Sequence, residues 1–222
     1  MNLEEFQSYK LNKESYSQLS QDLLVTYLLK EKRNGYFVEF GATDGIVLNN
    51  TYLLEKEYDW SGILAEPAKV YHEDLRNNRN SNIDTNCVYL TTGQTVNFAE
   101  FDMLSTISHF KSNGDWAGPD REANSKYYDV ETISLKDLLD KYDAPEVIDY
   151  MSIDTEGSEY DILCAYDFSR QIDIFTIEHN YTHQKDKIFQ LLSDRGYTRV
   201  FDYLSQWDDW YVSKELMAKL NV

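Results

Sequence analysis

Apolar positions along the chain switch between two periods. Leu19, Leu23, Leu24, Tyr27 and Leu28 recur at helical spacing within residues 17–33, and Gly35 follows as a stop signal. Residues 36–40 form a short aromatic and β-branched run that predicts a buried strand, ending in a turn rich in glycine. The alternation continues with a helix over 50–58, a strand over 62–67 closed by Pro67, and a helix over 69–78 that puts Val70, Tyr71 and Leu75 on one side. A third strand is predicted at 87–90. Thr91 to Gln94 reads as a turn into a strand at 95–98, which predicts a hairpin added to the basic unit. Further along, helices over 134–142, 157–166 and 185–195 separate strands over 147–153 and 172–177. Residues 199–203 and 210–212 read as closing strands, and 213–220 as a terminal helix.

Strands that alternate with helices predict βαβ units and a mostly parallel sheet covered on both faces. Residues 1–16 are polar and read as an irregular arm. Residues 101–128, with weak periodicity and with Gly114, Gly118 and Pro119, read as a long loop or lid. Repeats, low-complexity tracts and linkers are lacking, so 1–222 is expected to be a single domain.

Composition narrows the class. The chain is 42% hydrophobic and 27% charged, as a globular domain of 222 residues should be, and its 18 tyrosines supply apolar area with polar tips. Against 39 Asp and Glu stand 21 Lys and Arg, a net charge of -18 that repels phosphate backbones and anionic lipid. Neither nucleic acid nor membrane is therefore an expected partner. Cys87 and Cys164 are far apart in apolar stretches and are expected to be buried, reduced thiols. The opening MNLEEFQSYK lacks the apolar run of a secretory signal, and no stretch approaches the roughly 20 apolar residues of a membrane span, so a cytoplasmic protein is expected.

In an open α/β sheet, ligands bind beyond the carboxyl ends of the strands. After the first predicted strand comes EFGATDG, with Glu39 ahead of Gly41 and Gly45; glycine lets the backbone turn tightly against a nucleotide. The third glycine of a dinucleotide fingerprint and the Lys-Ser/Thr of a P-loop are both missing. The second predicted strand ends in Glu66, 27 residues after Glu39, one strand–helix–strand unit on. A carboxylate there can accept both ribose hydroxyls and repels a 2′-phosphate. A nucleoside cofactor with a positive centre fits this set.

These motifs resemble the FkbM-type methyltransferases: GYFVEFGATDG at 35–45, NTYLLE at 50–55, WSGILAEP at 60–67 and IDTEGSE at 153–159. The similarity runs from about Ser17 to Val212, excepting 99–130, and Asn49 stands where the family usually has serine. The resemblance implies a class I methyltransferase Rossmann-like fold with a mostly parallel seven-stranded sheet and helices on both faces. It implies S-adenosylmethionine as methyl donor, held by Glu39, Gly41, Ala42, Asp44, Gly45, Asn50, Thr51, Glu66 and Asp154. It also implies, as a rule, O-methylation of a small-molecule or carbohydrate hydroxyl.

Methyl transfer needs the acceptor oxygen positioned and its proton managed. Asp154 ends the fourth strand, and Glu178-His179-Asn180 ends the fifth. Either His179 takes the proton, or Asp154 and Glu178 hold a divalent cation such as Mg²⁺ or Mn²⁺ that acidifies the hydroxyl. Glu156 is a third catalytic candidate, although Glu156 and Glu159 beside Gly157 can equally serve a helix start. His109, Trp116, Tyr127, Tyr128 and Ser105 are candidates to cover the pocket from the lid. The alternatives are a non-catalytic nucleoside-binding module, which the intact acidic and glycine positions argue against; an NAD-linked oxidoreductase, disfavoured by the missing glycine; and a nucleic-acid methylase, disfavoured by charge.

Overall fold

A computed structural model describes residues 2–112 and 114–220. The chain opens with helices α1 (Leu3–Lys10) and α2 (Gln21–Leu28). It continues through β1 (Tyr36–Phe40), α3 (Tyr52–Tyr58), β2 (Ser61–Ala65), α4 (His72–Asn78) and β3 (Asn82–Asp84). A middle section holds β4 (Cys87–Tyr89), β5 (Thr95–Glu100), β6 (Thr106–Ile107), α5 (Gly118–Asn124) and β7 (Lys126–Ser134). The last part is α6 (Leu135–Lys141), β8 (Val147–Ile153), α7 (Glu159–Ala165), β9 (Gln171–Glu178), α8 (Gln184–Asp194), β10 (Tyr197–Val200), β11 (Asp208–Ser213) and α9 (Lys214–Lys219).

Seven strands form the main sheet in the order β10-β11-β9-β8-β1-β2-β3. The sheet is mixed: β3, β2, β1, β8 and β9 pair in parallel, while β11 runs antiparallel to both of its neighbours. Alternate residues of each strand face opposite layers. Val38, Phe40, Ile63 and Met151 bury against Leu138, Leu139, Leu163 and Ile188 of α6, α7 and α8. Phe37, Leu64, Tyr150 and Trp210 bury against Leu24, Leu54 and Leu75 of α2, α3 and α4, with Phe6 of α1. Helices thus cover both faces. The strand order reverses between β1 and β8, which opens the crevice that such sheets use for ligands.

Three regions differ from expectation. The polar arm contains a helix, α1, because Asn2 caps it through its side chain and Phe6 is fully buried, stacked on Phe201 at 5.2 Å. The strand expected as third, β4, is not in the main sheet; the equally short but more polar β3 takes that edge. Nor does β4 make a hairpin with β5: β7 lies between them in a second sheet ordered β4-β7-β5-β6, pairing parallel with β4 and antiparallel with β5. The stretch 101–128, expected as a loop, accordingly carries β6, α5 and the start of β7. Its own core is small, formed by Ala68, Cys87, Phe98, Ile107 and Val130. Cys87 is buried as expected, but Cys164 is exposed, on the outer side of α7. Among the described residues, no helix is long and apolar enough to cross a membrane.

Candidate active site

One cavity of about 420 Å³ opens at the carboxyl ends of β1, β2, β8 and β9, within the range of small-molecule sites. Gly41 and Thr43 from the β1 turn, Glu66 and Pro67 from the tip of β2, Asp154 and Glu156 after β8, and Glu178, Asn180 and Tyr181 after β9 all line it. The small sheet closes one side with Phe98 and Ile107, and Met103, Leu104 and Ser105 follow between β5 and β6. Six lining residues, Thr43, Leu48, Asp102, Glu156, Asn180 and Tyr181, hold φ between 45° and 57°, a conformation that costs side-chain-bearing residues energy and gathers at functional sites.

Gly41 is needed where it stands. It has φ +76°, its N–H donates to the Ala65 carbonyl at 3.1 Å, and an added Cβ would lie 2.2 Å from the backbone oxygen of Asp154. A side chain here would force the tips of β1 and β8 apart. Glu66 is buried, and each of its carboxylate oxygens accepts one backbone N–H, from Thr43 at 2.8 Å and from Ala68 at 2.7 Å. Each oxygen keeps lone-pair capacity toward the cavity. Desolvation, reinforced by the nearby Asp154 and Glu100 carboxyls and outweighing those two hydrogen bonds, pushes the Glu66 pKa up to about 7.

The remaining residues proposed from sequence around the first turn lie outside the cavity wall. Glu39 is buried on the α3 side, where it accepts the Asn50 N–H at 2.8 Å and the Thr51 hydroxyl. Asp44 accepts the Ile46 and Val47 N–H groups, each at 2.9 Å, and so folds its own turn. Ala42 is core, and Gly45 packs against Arg79 and Leu75. Arg79, itself buried, donates to the Gly45 carbonyl, to Asn49 and to Thr51 and pairs with Glu55 at 3.1 Å. Asn49, the departure from the family's serine, serves this network. Asn50 reaches Ser152 at 2.8 Å and lines a separate polar cavity of about 20 Å³, together with Gln21, Asp154, Glu178 and Asp208.

Asp154, Glu156 and Glu178 present oxygens within 4.8 Å of one another. Desolvation, with Glu159 and Glu39 nearby, pushes Asp154 up to about 7. Desolvation and mutual repulsion push Glu156 and Glu178 well above the usual carboxylate range. Glu156 is tied down: Arg121 of α5, fully buried, donates to it at 2.7 Å while also pairing with Asp115 at 2.9 Å and donating to the Leu104 carbonyl at 2.7 Å. Arg121 thereby fastens the 101–128 segment to the site, a role that its sequence context does not signal.

His179 is placed elsewhere. Its ring does not line the cavity: Nδ1 accepts the Tyr181 N–H at 3.0 Å, and Nε2 faces Asp209 at 3.6 Å. Burial opposes ionisation of Asp209, but His179, the Tyr211 hydroxyl and Arg199 outweigh it and hold its pKa below the ordinary value. Glu178 and His179 are successive residues at a strand end, and successive side chains leave opposite sides. Glu159 accepts the Thr155 and Gly157 N–H groups and organises the turn before α7. Trp116 and Ser105 reach the cavity; His109, Tyr127 and Tyr128 do not line it.

A seven-stranded α/β sheet with a glycine turn, a carboxylate at the second strand tip and a crevice at the switch point is a Rossmann-like architecture with its cavity where such sheets take ligands. Comparison with known sequences resolves the class further. The profile of the methyltransferase FkbM domain matches residues 39–199, and the chain belongs to that family. It is therefore a methyltransferase family member, and the family implies S-adenosylmethionine as cofactor. No curated protein matches the chain significantly. Among solved structures it is similar to precorrin-6y C5,15-methyltransferase from Geobacter metallireducens GS-15, with 11% identity, a TM-score of 0.45 and coverage of 86% of this chain and 80% of the other. It is also similar to a chain of a fibrillarin/Nop5p complex, with 12% identity, a TM-score of 0.39 and coverage of 88% and 79%.

Proposed function

We propose that the protein transfers the methyl group of S-adenosylmethionine to a hydroxyl of a small molecule or sugar. The observation that carries the cofactor half is that Glu66, Gly41 and Asp154 wall one crevice, with Glu66 still able to accept the two ribose hydroxyls. Cavity size and an all-carboxylate charge set suit an adenosyl group with a cationic sulfur. Glu39, Ala42, Asp44, Gly45, Asn50 and Thr51 act one layer behind, fixing the turn that Gly41 and Thr43 present.

For the acceptor half, Asp154 and Glu178, adjacent carboxyls that line the cavity and hydrogen-bond each other, are the groups that take the acceptor proton. Desolvation raises both, Asp154 to about 7, where a general base is most effective. Glu156, paired with Arg121, positions Asn180, whose amide donates to it at 3.3 Å. His179 supports the strand end from behind. A three-carboxylate donor set also suits a hard divalent cation such as Mg²⁺ or Mn²⁺, which Asp154 and Glu178 would hold and which would supply Lewis acidity to the hydroxyl. Saturating chelator leaves turnover intact if carboxyls alone suffice and abolishes it if the cation is needed.

Calorimetric titration with S-adenosylhomocysteine tests the cofactor reading. The wild type binds, and Glu66→Ala weakens binding by about 100-fold, as loss of two hydrogen bonds to a charged acceptor predicts. A wild-type protein that does not bind, or a Glu66→Ala variant that binds equally well, overturns it.

A further inference from the structure

The cavity has an apolar rim at its mouth. Trp116 is 75% exposed, Tyr181 64%, Val47 54% and Leu48 43%, yet all four line the same opening. Single exposed apolar residues are ordinary on any protein surface. These come from three separate segments, the β1 turn, the approach to α5 and the loop after β9, and converge on one mouth, and such convergence marks a binding surface. Leu48 and Tyr181 are also held at positive φ, so their placement is maintained against a backbone cost.

Charge supplies the second constraint. Among the described residues that line the cavity there is no Lys, Arg or His, whereas Glu66, Asp102, Asp154, Glu156 and Glu178 all do line it. The nearest buried cation, Arg121, has its donors engaged by Glu156, Asp115 and two backbone carbonyls. The cofactor's own carboxylate is balanced by its ammonium, but a phosphate or carboxylate on the acceptor would meet Asp154, Glu156 and Glu178 in a partly desolvated site with no lining cation to pair it, a cost that disfavours such ligands.

We infer that the methyl acceptor carries no anionic group and lays a flat apolar face on the rim formed by Leu48, Trp116 and Tyr181, with its hydroxyl directed to Asp154 and Glu178. This rests on the methyltransferase reading and narrows it: phosphorylated sugars, nucleotide-linked sugars and carboxylic acids are disfavoured, while neutral and cationic hydroxyl compounds fit. An aromatic ring and the CH face of a pyranose offer the same surface, and aromatic side chains stack on either.

A matched set of ligands on one phenol ring separates the charge term from the shape term. Binding of tyramine (cation), tyrosol (neutral), 4-hydroxyphenylacetate (anion) and methyl β-glucoside to protein saturated with S-adenosylhomocysteine is measured by ligand-observed saturation-transfer NMR. Tyramine and tyrosol bind at least about tenfold more tightly than 4-hydroxyphenylacetate. Trp116→Ala, and independently Tyr181→Ala, weakens the bound probes about tenfold while leaving S-adenosylhomocysteine affinity within about twofold. Tighter binding of the glucoside than of tyrosol assigns the rim to a sugar, and the reverse order assigns it to an arene. Equal or tighter binding of the anion, rim variants without effect, or no binding by any of the neutral and cationic probes overturns the inference. A protein that fails to take up S-adenosylhomocysteine fails the methyltransferase reading instead, which is a separate and visible outcome.

Discussion

Two sets of carboxylates, one behind the β1 turn and one at the tips of β8 and β9, are partnered differently. Behind the β1 turn, Glu39 accepts the Thr51 hydroxyl and the Asn50 N–H, and Glu55 accepts from Arg79, Ser81 and the Asn80 N–H. Desolvation works against ionisation of Glu55, but Arg79 and these donors overcome it and hold its pKa down at about 2. At the tips of β8 and β9, Asp154 and Glu178 face each other and Glu156 across a cavity, with desolvation and like charge raising all three. Glu39, fully buried, is nevertheless raised by desolvation, which Arg79, Thr51 and the Asn50 N–H offset only in part. Carboxyls crowded together at a cavity are kept at a cost to stability, and such costs concentrate where chemistry is done.

The largest effect that would break this contrast is on the satisfied side. Arg79→Ala removes the cation beside buried Glu39 and leaves Glu55 with Lys56 alone, and is expected to lower unfolding stability by about 3–5 kcal/mol, read by urea denaturation. A loss below about 1 kcal/mol would mean that the network is ornamental. On the unsatisfied side, Glu178→Gln is expected to cut methyl transfer from labelled S-adenosylmethionine by about 10²–10³-fold with cofactor affinity nearly unchanged. His179→Ala, although adjacent in sequence, should alter turnover by no more than a few-fold and cost about 1–3 kcal/mol of stability, because its ring serves Asp209 and the Tyr181 N–H. A turnover collapse in His179→Ala with Glu178→Gln unaffected would reverse the assignment.

A smaller effect follows from pH. Asp154 and Asp208 ordinarily titrate near 3.8 and Glu66 near 4.5, but each is raised to about 7 in the folded chain. The folded state therefore retains protons that the unfolded chain has released. That share of stability is full below about pH 4 and is lost as pH rises through about 7. Tm is expected to fall between pH 5 and pH 8, and Asp208→Asn should recover part of the loss at pH 8, about 3 °C for each kcal/mol. A Tm that rises over this interval would show that these carboxyls are ionised without penalty.

The parts of the fold read correctly from sequence were those with one dominant pattern. The runs 36–40, 62–67, 147–153 and 172–177 are nearly continuous apolar segments bounded by glycine or charge, and they became β1, β2, β8 and β9. The second sheet was missed because β7, KYYDVETIS, is exposed at four of its nine positions and mixes charge with tyrosine, so neither period stands out. Helix α1 was missed for a similar reason: its order depends on one buried ring, Phe6, among polar neighbours. At the site, Gly41, Glu66, Asp154 and Glu178 were legible as strand-end residues. Two signals in the sequence would have refined the rest. Alternation along β1 places Glu39 with Phe37, on the helix side, and alternation after β9 prevents Glu178 and His179 from sharing a pocket. Arg121 and Asp115 left no such trace, since a buried arginine is defined only by partners distant in sequence.

The contrast between the two carboxylate sets is tested most directly by following the side-chain carboxyl carbons in a ¹³C NMR pH titration of the folded protein. Glu55 should titrate at about 2 and Asp154 at about 7, with Glu178 also displaced upward. Asp154 and Glu178 titrating near 4, like free carboxyls, would contradict the account.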